Sequence, residues 1–178
     1  DADDILLFPK GTFAGSCLHA MFENADFTDR ESWNTAIESA LQQFPQTVEV
    51  ITVEDGKNSY PDLKAMARRM MEDVLNTPLH NGIVLSSIPN EKRLTELPFC
   101  LSEAPVSAKS LNALFKRFDY PVPQLIFDDM NAFLNGFIDL VFEHEGRFYV
   151  LDWKSNVLGT NREDYGPAPV AMAMAEHG

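Results

Sequence analysis

The chain is poor in cysteine, in basic residues and in long apolar runs. Its two cysteines, Cys17 and Cys100, are too few to staple a chain of 178 residues. They also exclude a four-cysteine iron–sulfur cluster within this chain. Both read as small buried hydrophobes in a reducing compartment. Only 14 basic residues stand against 27 acidic ones, a net charge of −13. Phosphate neutralisation supplies the affinity of a free-standing nucleic-acid binder, so this balance counts against tight autonomous binding. A substrate delivered by a partner remains compatible with it, and an acidic surface also serves solubility. No apolar run approaches the ~20 residues of a spanning helix, so no membrane association is expected. No Gly-x-x-x-x-Gly-Lys-Ser/Thr loop is present, so no ATPase is expected in this chain. Internal repeats and low-complexity tracts are also lacking. The chain begins at Asp1 with no initiator methionine and no signal peptide. It reads as a piece of a longer cytoplasmic protein, with 1–178 forming one domain.

Helices and strands alternate along what is there. Asp1 to Leu7 reads as a linker end or an edge segment. Gly11 and Gly15 flank a loop into a short helix through Leu18, Met21 and Phe22. Thr28-Asp29-Arg30-Glu31 fits a capping box. The helix after it carries Trp33, Ile37, Ala40, Leu41 and Phe44 at helical spacing and stops at Pro45. Glu54 to Asn58 is a turn. Ser59 is placed to cap a third helix with Pro61 in its first turn and Leu63, Met66, Met70 and Val74 inside; Thr77-Pro78 ends it. Thr95 to Leu101 is a strand in which Pro98 suits an edge or a bulge. Ser107 caps a helix through Leu111, Leu114 and Phe118, broken by Pro121 and Pro123. Ser155 to Gly166 is a polar loop, and Pro167 to His177 starts a further helix.

The chemistry concentrates between 136 and 156. Gly136-Phe137-Ile138-Asp139 and Leu151-Asp152-Trp153-Lys154 bracket two apolar, β-rich runs around Glu145-Gly146, which predicts a hairpin. Asp139 falls on its first strand and Asp152 near the end of the second. Lys154 follows Asp152 by two and shares its face. Carboxylates and an ammonium crowded on one surface repel, or pair at a cost. A hard divalent cation held by the carboxylates accounts for the arrangement.

The form Gly-x-x-Asp…Asp-x-Lys resembles the bipartite signature of the PD-(D/E)xK nucleases. The match extends to Asp152-Trp153-Lys154-Ser155-Asn156, to Phe8-Pro9-Lys10-Gly11 and to Gly15-Ser16-Cys17-Leu18-His19-Ala20-Met21-Phe22-Glu23. Together these are similar to the C-terminal nuclease domain of the RecB family; the stretch from about 30 to 90 carries no matching motif. The resemblance implies an α/β fold of restriction-endonuclease type, a mixed central sheet flanked by helices, here C-terminally truncated. It implies a Mg²⁺ site, with Mn²⁺ or Ca²⁺ as alternatives, held by His19, Asp139, Asp152 and the backbone carbonyl of Trp153. Asp139, Asp152 and Lys154 form the implied catalytic set, in which the lysine positions or deprotonates the attacking water. An ammonium next to a cation is expected to have a depressed pKa. Glu96, on the strand before the hairpin, is a weaker candidate near the metal. DNA delivered by a helicase portion, RecC-like and RecD-like subunits and a RecA-like recombinase are the implied partners. A non-catalytic docking module for a recombinase or partner subunit is the alternative. Lys10 and Arg162 could touch phosphate. His80, His144 and His177 match no motif and read as surface residues.

Overall fold

In a computed structural model, the described residues are 4–48, 51–52, 58–79, 81–102, 107–120, 122–129 and 133–177. Their elements are helix α1 (Thr12–Asn24), helix α2 (Arg30–Gln43), strands β1 (Ile51–Thr52) and β2 (Asn58–Ser59), helix α3 (Leu63–Asn76), strand β3 (Arg93–Ser102), helix α4 (Ala108–Arg117), strands β4 (Phe133–His144) and β5 (Arg147–Leu151) and helix α5 (Pro167–His177). The α/β class follows directly. The described strands pair antiparallel throughout, in the orders β1-β2 and β3-β4-β5, in place of the expected mixed sheet. A two-residue turn joins β4 to β5, and such a link permits only antiparallel pairing. Glu145 (φ 51°) and Gly146 (φ 74°) both take the left-handed conformation a tight hairpin turn of this kind demands. Glu143 secures it by accepting the Gly146 N–H at 2.7 Å.

The core is a helical cluster closed on one side by the sheet. Ala14, Cys17 and Met21 of α1 and Trp33, Ile37 and Ala40 of α2 are buried at helical spacing. On α3 the fully buried stripe is Met66, Ala67, Met71 and Leu75, with Met70 and Val74 only partly covered. The apolar face is therefore rotated by about one residue from the expected one. Leu140 and Phe142 bring the inner face of β4 into this cluster, and Tyr149, Leu151 and Trp153 pack beside them.

Several boundaries move for local reasons. Residues 5–7 form a single 3-10 turn capped by Asp4 and followed by buried Phe8, so the segment is docked on the core rather than a free linker. Gly15 lies inside α1 and not in a loop. A Cβ there would sit 2.6 Å from Ser155 Oγ, so the glycine permits close approach of helix and post-hairpin segment. Asp29, not Thr28, caps α2 by accepting the Glu31 N–H, because Thr28 is drawn back onto Asp26. Asp62 caps α3 by accepting from Lys64 and Ala65; Ser59 belongs to β2. Ser107 caps α4 as expected. Pro98 lies in β3, an edge strand. Most of the turn at 54–58, together with His80, falls outside the described residues.

Candidate metal centre

Three elements bring three acidic or imidazole groups together. His19 sits half-buried on α1, one turn before the buried Phe22. Asp139 stands on β4, and Glu96 lies across from it on β3, between the paired residues Thr95–Leu140 and Leu97–Ile138. One ligand atom from each of His19, Glu96 and Asp139 lies within 4.8 Å of the other two. His19 Nδ1 is 3.7 Å from Asp139 Oδ2. All three are half-buried.

The local backbone is unusual at one of them. Glu96 has φ 49°, a left-handed residue inside a strand. A glutamate pays for that conformation, and such outliers gather where side-chain placement matters. Burial, then the Asp139 and Glu23 carboxylates, raise the Glu96 pKa, and His19 partly offsets them. Two carboxylates facing each other at this range gain from a shared cation. One imidazole with two carboxylates is a donor set that fits Mg²⁺ or Mn²⁺ completed by water.

The Asp152-Trp153-Lys154 segment meets the cluster through the backbone. Asp139 Oδ2 accepts the Trp153 N–H at 2.7 Å. Trp153 turns inward and stacks on Phe22, centroids 4.5 Å apart. Its neighbours therefore face outward, where Lys154 Nζ pairs with Asp152 Oδ2 at 2.5 Å. That contact, helped by the charge of the nearby Asp139 and opposed by desolvation, holds the ammonium above its usual pKa. The nearest charge is that carboxylate; the depressed value expected of Lys154 belongs to an ammonium beside a bound cation. Asp152 lies outside the grouping of His19, Glu96 and Asp139.

A cleft of about 820 Å³ opens over this region, lined along α1 by Gly11, Ser16, His19 and Glu23 and opposite by Ser155 and Asn156. Lys10 lines it too, whereas Arg162 is engaged by Asp4 at 3.0 Å. Glu23 also faces the cleft. Its signal is positional: it follows His19 by four on one helix face. His144 lies at the hairpin end of β4, away from the cleft.

A half-buried His/Glu/Asp grouping on a small antiparallel sheet with packed helices defines a nuclease-like α/β domain with a candidate metal centre. No family model matches the chain. Among individual proteins it is similar to the RecBCD enzyme subunit RecB. The Escherichia coli (strain K12) protein is 35% identical over 177 residues, which is 96% of this chain and 14% of that protein. The Haemophilus influenzae protein is 32% identical over 175 residues, again 96% of this chain but 13% of its own length. That of Buchnera aphidicola subsp. Acyrthosiphon pisum is 27% identical over 165 residues. The chain matches a RecB segment and spans about 14% of the length of the first of these curated relatives.

Proposed function

We propose that this chain is the C-terminal nuclease domain of a RecB-type protein and hydrolyses DNA phosphodiester bonds with a divalent cation. The observation that carries the reading is the meeting of His19, Glu96 and Asp139, from three separate elements, in a chain that matches RecB along 96% of its length. That grouping favours the nuclease part of RecB over its other segments.

His19, Asp139 and Glu96 would hold Mg²⁺ or Mn²⁺, and Asp152 with the Trp153 carbonyl would extend the set. When bound, such a cation supplies Lewis-acid polarisation and charge neutralisation at the phosphate. The chain's own residues do the rest. Asp139, by accepting the Trp153 amide, fixes where Asp152 and Lys154 emerge. Lys154 orients the attacking water and offsets charge growing on the phosphate oxygens. Asp152 holds that ammonium in place. Half-burial of His19 and Asp139 strengthens the interactions these two side chains make relative to water.

By the same match, the intact protein would work in a helicase–nuclease that processes DNA ends for repair and recombination. RecC-like and RecD-like subunits would be its partners, a RecA-like recombinase a further one, and the cytoplasm its compartment. No described helix is long and apolar enough to cross a membrane. The test is cleavage of linear DNA by the intact protein carrying Asp152→Ala. Nuclease activity should vanish while ATP-driven unwinding persists. Loss of unwinding to the same degree would make Asp152 structural and refute its assigned role.

A further inference from the structure

We propose that Phe13 and Phe44 form a stacking platform for an unpaired nucleobase of the strand being cut, at a nucleotide neighbouring the scissile one. The proposal rests on the nuclease reading and adds a substrate contact to it. Phe44 ends α2 and lines the same cleft as His19 and Glu96. Phe13, at the start of α1, stands 53% exposed. The two rings meet edge to face, centroids 5.4 Å apart at 72°. One exposed phenylalanine needs no explanation. A ring that lines the cleft holding a candidate metal centre, Phe44, with the exposed Phe13 set edge-on against it, is a different case.

The geometry suits a strand running along α1. His19 and Thr12 are separated by about 10 Å of helix at 1.5 Å per residue, so a phosphate at the metal centre leaves room for the next nucleotide at the rings. Phe44 is a firm floor. Its N–H donates to the Ala40 carbonyl at 2.8 Å, its own carbonyl accepts Gln46 Nε2 at 2.8 Å, and its ring packs partly on the core. Lys10 and Thr12 line the cleft beside the rings and offer a charge and a hydroxyl to backbone and sugar. A net charge of −13 leaves little affinity to be gained from phosphate neutralisation. Base stacking on aromatic rings is the sequence-tolerant contact that does not depend on net charge, and it requires a base with a free face. A base within a duplex has none.

The experiment compares two labelled probes by fluorescence anisotropy, at low ionic strength with Ca²⁺ in place of Mg²⁺. One is single-stranded oligothymidylate; the other has the same backbone with abasic sites. Wild type should prefer the thymidylate. Phe13→Ala should bind it about tenfold more weakly and bind the abasic probe unchanged, and Phe13→Tyr should keep the preference. Matched melting temperatures will show that the exposed ring is not needed for folding. If wild type and Phe13→Ala bind the thymidylate equally while Mg²⁺-dependent cleavage is intact, the platform is wrong and the nuclease reading survives. If wild type neither binds nor cuts the thymidylate, both fall. An equal loss on both probes would assign Phe13 to general structure and also overturn the platform.

Discussion

The carboxylate of Asp139 accepts the backbone N–H of Trp153 at 2.7 Å while lying 3.7 Å from the His19 imidazole. One side chain thus both faces the candidate metal and fastens the segment bearing Asp152 and Lys154. The two roles separate by substitution. Asp139→Asn keeps an oxygen acceptor but loses the charge; Asp139→Ala loses both. Both variants should lower Mn²⁺ affinity by at least about tenfold, read by calorimetry. Only Asp139→Ala should also change Trp153 emission, since Trp153 is held on Phe22 by this tether. Unchanged Mn²⁺ affinity in both would remove Asp139 from the metal set.

Glu96 combines a left-handed backbone with a half-buried carboxylate, so its replacement should separate stability from function. Glu96→Gly relieves the strain and should be neutral or stabilising by about 0.5–1 kcal/mol in urea unfolding. The same variant should bind Mn²⁺ more weakly. Stability lost together with metal affinity would show that the glutamate serves packing.

Gly15 and Ser155 form a steric pair. Gly15→Ala places a Cβ 2.6 Å from Ser155 Oγ and should destabilise by about 1 kcal/mol, because the post-hairpin segment must shift. Ser155→Ala removes that oxygen and should restore most of the loss in the double variant. Strict additivity of the two changes would refute the contact.

Lys154→Gln should leave Mn²⁺ affinity nearly unchanged and abolish cleavage by the intact protein. Its partner Asp152 is 55% exposed, so the pair itself contributes little to stability. A collapse of metal affinity in this variant would contradict the role assigned to the lysine.

Asp26 should contribute to the acid sensitivity of the fold. The Thr28 hydroxyl first, then backbone amides and Arg93, hold its carboxyl below the usual value, against burial, which raises it. A group depressed in the folded chain contributes stability at neutral pH and loses it as pH falls through the folded value. Unfolding measured between about pH 3 and 6 should show a shallower acid slope in Asp26→Asn than in wild type. An identical slope would mean that other carboxylates govern it.

The hairpin was legible because its signals are local. Apolar, β-rich runs on either side of Glu145-Gly146 are enough to place the hairpin, and the structure adds the register that brings Leu140 opposite Leu151. Asp139 and His19 could be nominated from short motifs. What sequence could not supply was the conformation of Glu96, since a left-handed residue within a strand is imposed by its surroundings. Gly15 misled for a related reason. Glycine commonly marks a loop, and here it marks a helix pressed against a chain segment far away in sequence. The outward turn of Asp152 followed from Trp153 finding Phe22, a contact between distant elements.

His19, Glu96 and Asp139 come from α1, β3 and β4, so the site exists only when these elements are docked. A cation held there binds the folded chain and not the unfolded one. Saturating metal would then act as a cross-link between the first helix and the sheet, adding about 1.4 kcal/mol of stability for each tenfold rise in free ion above its dissociation constant. Thermal denaturation thereby becomes an assay of occupancy that requires no substrate.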